Sequence, residues 1–320
     1  MKIRRENLPM LVTAFVLLAL FGVFSIFFKN FLSVRVVVNL FMNNAHVGVI
    51  AVGMTFVILS GGIDLSVGSV LAFTTIFIAT LIENRHVHPV LAILIALAVG
   101  GMFGAAMGAM IQVYKLPPFL VTLAGMFLAR GLAFVVSSNE LAIRHPLYET
   151  MGDLGISLGK ARLGFTACIF IATLIVAAVV AHRTKFGRNV YAIGGGENSA
   201  FMMGLPVAAT KIAIYAISGF CAALGGVVFT LQARSGNPLN GMGLELDAIA
   251  AVVIGGTLLT GGVGFIEGTL LGILIYGTIL TAPDYLSGFD SSWQRIAIGG
   301  LLLAFIILQR FLSRAAAQSR

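Results

Sequence analysis

Apolar residues run along this chain in long uninterrupted blocks, without the alternation of a half-buried strand or the one-sided stripe of a soluble helix. The blocks cover residues 10–28, 45–59, 67–82, 90–113, 119–136, 163–181, 212–231, 247–259, a segment ending near 281, and 293–308. A bilayer core about 30 Å thick takes roughly 20 apolar residues per crossing helix. The pattern therefore predicts an all-α integral membrane protein, a polytopic bundle of about ten transmembrane helices forming a single domain over residues 1–320. The eighth block is short and broken by Gly255-Gly256, so nine or ten crossings both fit and a re-entrant element is an open reading. The first block follows Lys2, Arg4 and Arg5 and runs on through Phe24, Phe27 and Phe28; it reads as a retained helix, not a cleaved leader.

The polar positions between the blocks carry the rest of the pattern. From Arg183 to Lys211 the chain is polar, basic and rich in turn formers, the longest such interruption between two blocks able to cross a bilayer. With ten crossings, Lys2, Arg4, Arg5, Lys115, Arg183, Lys185, Arg188, Lys211 and the terminal arginines fall on one side, and most acidic residues on the other. Positive charge marks the cytoplasmic side, so both termini and the 183–211 loop are expected there. Asn43 and Asn44 precede the second block, Asp64 lies between the second and third, and Glu245 and Asp247 open the eighth. These five are candidates for a solute pathway or gate. Helix capping at Asp64 or Ser66 accounts for them as well. Gly100, Gly104 and Gly108 recur every fourth residue and lay a flat stripe along one helix face, a packing device shared by the pairs Gly61-Gly62 and Gly255-Gly256. Ser60-Gly61-Gly62-Ile63 with Gly68-Ser69 lines up without gaps on Thr260-Gly261-Gly262-Val263 with Gly268-Thr269; a repeated hairpin and chance similarity are both open.

Composition removes whole classes of function. The chain is 59% apolar and 10% charged, with 38 glycines, and its mean hydropathy is +1.03. A net charge of +8 in a soluble domain would suggest nucleic acid, but here the basic residues stand at block ends as orientation signals, so no nucleic-acid partner is expected. Cys168 and Cys221 lie inside apolar blocks and read as buried hydrophobes. His86 and His88 form a turn without further ligands, so no metal is expected. Neither a phosphate-binding glycine loop ending in Lys-Ser or Lys-Thr nor a His-Glu-x-x-His metal motif is present, so no catalytic residue is assigned and the chain reads as a non-enzyme.

Four stretches together resemble the permease subunits of ribose- and galactose-type sugar ABC importers. They are Gly53 to Ser69 with Ser60-Gly61-Gly62-Ile63-Asp64-Leu65-Ser66 at its centre, Leu116 to Met126, Thr184 to Gly195, and Glu245 to Thr257 followed by Gly261-Gly262. Among these permeases the chain is most similar to one half of the bacterial galactofuranose importer. The resemblance implies a bacterial inner-membrane location and three partners besides lipid: a second, similar permease, a cytoplasmic ATPase and a periplasmic sugar-binding protein. No cofactor is implied in this chain, since ATP and Mg would bind the ATPase. It also implies an ATPase-coupling loop comprising Gly187, Arg188, Gly194, Gly195, Glu197, Asn198, Ser199, Ala200, Phe201 and Gly204. The family's Glu-Ala-Ala-x-x-x-Gly core here reads Asn198-Ser199-Ala200-Phe201-Met202-Met203-Gly204, with Asn for Glu and Phe201 at a usually basic position. A more apolar dock, suited to a heterodimer, is the expectation. The rival reading, a stand-alone secondary transporter or channel, needs a buried ionisable pair, for which Arg130 and Glu267 are the candidates.

Overall fold

The computed structural model describes residues 8–27, 31–158, 161–281 and 291–317. Lys2, Arg4, Arg5, Phe28 and Arg320 lie outside the described residues. In chain order the elements are α1 (Leu8–Phe27), α2 (Val34–Asn43), α3 (Ala45–Leu59), α4 (Val67–Glu83), α5 (Pro89–Val113), α6 (Pro118–Val136), β1 (Leu141–Ala142), α7 (Pro146–Asp153), β2 (Gly155–Leu158), β3 (Ala161–Gly164), α8 (Phe165–Arg183), α9 (Lys185–Gly195), α10 (Glu197–Met202), α11 (Val207–Ala233), β4 (Ser235–Gly236), α12 (Leu244–Ile254), α13 (Ile266–Thr281) and α14 (Ser291–Ala317).

Every apolar block contains a helix. Among the described residues, five helices are long and apolar enough to cross a membrane, and six if α2 and α3, bent by 61° at their junction, count as one crossing. Three further apolar helices are shorter: Val67–Glu83, Ile266–Thr281 and Trp293–Ile307. The shortness has a structural reason. Helix α4 is preceded by non-helical chain, residues 60–66, that is mostly buried in the bundle, and α12 by non-helical chain that packs along α4, as in transporters built on discontinuous helices. Backbone at Gly236 lies against Thr75 and Ile76 of α4, and backbone at Gly241 against Gly68 one helical stretch further along. The eighth block is thus the helical half of a broken element.

The core is organised on α3, in which every residue except His46 is buried. A helix apolar all round finds its partners on all sides, and α3 packs against α8, α11, α12 and α13. Outer faces stay apolar too: Phe15, Leu18 and Ile26 of α1 and Phe127 and Val135 of α6 are exposed, as lipid-facing side chains are. Helix α5 lies along α11 at backbone distance. A Cβ on Gly100, Gly104 or Gly108 would run into Gly219, Tyr215 or Ile212 of α11 respectively.

At one end, Lys115 and Lys211 line a common groove, and Arg183, Lys185 and Arg188 stand where α8 turns into α9. This is called the basic end below. The opposite end carries both two-stranded sheets, β1 with β4 and β2 with β3. There Arg234 pairs with Asp153 at 2.7 Å, and Glu83 accepts the Arg144 amide at 2.7 Å.

Candidate functional site

The polar interruption 183–211 is helical over most of its length, which its composition did not suggest. The Thr184 side chain caps α9 by accepting the Gly187 amide at 3.2 Å. Gly187 itself sits where a Cβ would collide with carbonyls at the end of α8, so the chain turns sharply there. Helix α9 then buries Gly187, Val190 and Ile193, spaced by three, and leaves Lys185 and Arg188 exposed. Phe186 meets Phe56 of α3 with ring centroids 6.0 Å apart.

After Gly196 the chain forms α10, six residues long. Ala200 is fully buried against Ile193 and Val207, which fastens α10 to α9 and to the start of α11. Glu197 pairs with Lys211 at 2.6 Å. The remaining side chains point away from the bundle. Phe201, Met202 and Met203 are 70%, 85% and 67% exposed, and Asn198, Ser199 and Gly204 are exposed as well. An exposed apolar tip of this kind on an otherwise basic end marks a contact surface. Beside it, between α10 and the α5–α6 turn, lies a groove of about 550 Å³ lined by Gln112, Lys115, Phe201 and Leu205.

The candidate pathway residues do not form one constellation. Asp64 is fully buried, and its carboxylate accepts the Ser66 amide at 2.9 Å, the Ser66 hydroxyl at 2.6 Å and the Ser218 hydroxyl of α11 at 2.7 Å. It ties the start of α4 to α11. Glu245, half-buried, lies against Gly68 in the first turn of the same helix, with Arg130 of α6 nearby. Asp247 faces elsewhere: it accepts a hydrogen bond from Tyr276 of α13 and lies near Arg295 of α14. Asn44 is buried at the α2–α3 bend, bonded to the Leu40 carbonyl at 2.9 Å and packed on Gly277, whereas Asn43 is exposed.

Arg130 and Glu267 stand apart. Glu267 pairs with His182 at 3.1 Å at the basic end. Arg130 donates from Nη1 to the carbonyls of Pro238 and Asn240, at 2.6 and 2.8 Å, and so holds the non-helical chain ahead of α12. Hydrogen bonds to a charged group are worth about 1.5–3 kcal/mol each in favourable cases. Arg130→Leu is expected to lower unfolding free energy by about 2 kcal/mol, read as a fall in thermal midpoint in detergent, and Arg130→Lys to recover part of it by reaching one carbonyl. An unchanged midpoint in Arg130→Leu would remove the clamp from this account.

Several contacts at the basic end carried no signal at the level of sequence. The Tyr191 hydroxyl donates to the Gly264 carbonyl at 2.9 Å, and burial, with Glu267 nearby, pushes its pKa up to about 12, so it stays a donor at physiological pH. Thr55 of α3 and Thr269 of α13 share a hydrogen bond of 2.7 Å. Aromatic and threonine positions within apolar blocks are common, and only the tertiary arrangement singles these out.

The family described as branched-chain amino acid transport system / permease component matches residues 36–306. An inner membrane ABC transporter permease protein of Escherichia coli, YjfF, is 47% identical over 97% of this chain and 94% of its own length. The fructose import permease protein FruG of Bifidobacterium longum is 37% identical over 97% of this chain and 92% of its own. The ribose import permease protein RbsC of Bacillus subtilis is 38% identical, covering 89% and 88%. No solved structure matches.

Proposed function

Because the chain belongs to the family of permease components of branched-chain amino acid transport systems, we propose that it is the membrane permease of an ATP-driven sugar importer. Relatives named for ribose, fructose and L-arabinose, matched along nearly their whole length, support a monosaccharide as cargo. The observation that carries the mechanism is α10, a short helix with an exposed apolar tip held between two long apolar helices at the basic end. In our reading that end is cytoplasmic and α10 docks on a separate ATPase, which holds ATP and Mg. A periplasmic binding protein delivers the sugar to the opposite end.

The chain pairs with a second permease, and the pathway forms between the two. The apolar tip Phe201-Met202-Met203, where a salt-bridging surface is usual, suits a heterodimer in which the two halves dock differently. Galactofuranose is the cargo we favour, on the resemblance of the four sequence stretches. ATP binding draws the ATPase halves together, and differential contacts in the two states convert that displacement into opening of the pathway.

The test is reconstitution of the co-purified complex in vesicles, with ATP hydrolysis measured against galactose, which includes a furanose form in solution, and against ribose, L-arabinose and fructose. Hydrolysis and uptake stimulated by galactose through the binding protein are expected. Stimulation by another of the four would reassign the cargo. Uptake at full rate without ATP or the ATPase would return the protein to the secondary-transporter class.

A further inference from the structure

Beneath the proposed dock, three segments meet without side chains between them. Gly194, in the last turn of α9, lies so close to the end of α3 and to the α12–α13 turn that a Cβ there would collide with the Leu59 carbonyl oxygen and the Gly262 amide. That amide donates to the same Leu59 carbonyl at 2.8 Å. A Cβ on Gly261 would stand 2.7 Å from the Gly61 nitrogen. Gly61, Gly261 and Gly262 have φ of +79°, +83° and +75°, a backbone region that L side chains rarely enter. The two echoed Gly-Gly turns are therefore in contact with one another, and α9 rests on both. Two side chains fasten that arrangement: Tyr191 to the Gly264 carbonyl, and His182 at the end of α8 to Glu267 at the start of α13.

We propose that Gly194 and Tyr191 are positioning residues for energy coupling, through which a displacement of α10 enters α3, α12 and α13 together. This rests on the permease reading above. Helix α10 is fastened to α9 by the buried Ala200, which packs on Ile193, and by the single residue, Gly196, that joins the two helices. Helix α9 is in turn anchored by Val190 and Ile193. A side chain between backbones yields by rotating; two backbones in contact do not, so small shifts pass undamped. Each turn also keeps a buried hydroxyl with no hydrogen-bond partner among the described residues, Tyr215 beside Gly62 and Thr257 beside Gly264. Buried polar groups are ordinarily paired, and these two are placed to gain partners when the turns shift.

The experiment uses the complete importer in vesicles and measures uptake of radiolabelled galactose and ATP hydrolysis in the same sample. Tyr191→Phe keeps the ring and removes only the bond to Gly264. It is expected to lower the sugar moved per ATP hydrolysed by about threefold to tenfold, the scale of one hydrogen bond, while hydrolysis continues. Gly194→Ala is expected to uncouple more completely. A purely structural role would lower both rates together and leave their ratio unchanged, so an unchanged ratio in Tyr191→Phe and in any Gly194→Ala complex that assembles overturns the proposal. Should Gly194→Ala not assemble, Tyr191→Phe decides alone. ATP-independent uptake by the unaltered complex would overturn the permease reading and the proposal with it.

Discussion

Gly204→Trp is expected to abolish sugar uptake while leaving the protein inserted in the membrane and paired with its partner permease. Gly204 follows α10 with φ of +76°, and a side chain built there meets nothing of this chain within 4 Å. An indole at that position projects into space that, in the proposed assembly, the ATPase occupies. The backbone cost of a non-glycine residue in this region is about 1–2 kcal/mol and is common to every substitution. Gly204→Asn supplies the control, since Asn tolerates the left-handed region and is small. Its uptake should stay near that of the unaltered protein, while Gly204→Trp loses both uptake and co-purification of the ATPase. If Gly204→Trp took up sugar normally, α10 would not be the dock.

The existence and order of the helices are legible in the chain, because a membrane-embedded helix must be apolar over most of its length and every such block says so independently of its neighbours. Two parts of the architecture are not. The broken element ahead of α12 reads as a loop from Gln232 to Leu246, because glycine, proline and asparagine signal irregular backbone without saying whether it projects freely or, as here, packs along α4 and is clamped by Arg130. The helical nature of α9 is obscured by four glycines within Gly187–Gly196, which suggest a turn; what decides is the capping Thr184 and tertiary burial of Val190 and Ile193. The candidate site divides in the same way. The glycine spacing on α5 is visible in one dimension, but its partner α11 is not, and the echo of Ser60-Gly61-Gly62 in Thr260-Gly261-Gly262 gives no hint that the two turns touch. Contacts between segments 200 residues apart depend on packing that no local pattern encodes. The carboxylates show the converse: Asp64, Glu245 and Asp247 share a residue type and a place at helix starts, yet they face different helices.

Gly104→Ala and Gly101→Ala, three residues apart on α5 and identical in chemistry, are expected to act in opposite directions. At Gly104 the new methyl would collide with the Tyr215 carbonyl oxygen of α11 and stand 3.1 Å from the Gly219 nitrogen. Both are backbone atoms of a helix that is itself packed on α3 and α4, so the strain is relieved only by moving α11 as a body. That movement also pulls Ser218 from the Asp64 carboxylate, now 2.7 Å away. Overpacking against fixed atoms costs about 1–3 kcal/mol, and loss of a bond to a buried carboxylate adds to it. At Gly101 a methyl meets its nearest neighbour, Phe220, at 3.8 Å, an ordinary contact, and replacing a helical glycine by alanine is worth about 0.5–1 kcal/mol in favour of the helix. Thermal unfolding of the purified permease should therefore show Gly104→Ala well below the unaltered protein and Gly101→Ala at or above it. The yield of folded protein in the membrane should follow the same order. Equal midpoints for the two variants would mean that α5 and α11 are not in backbone contact, and the close seam between them would have to be abandoned.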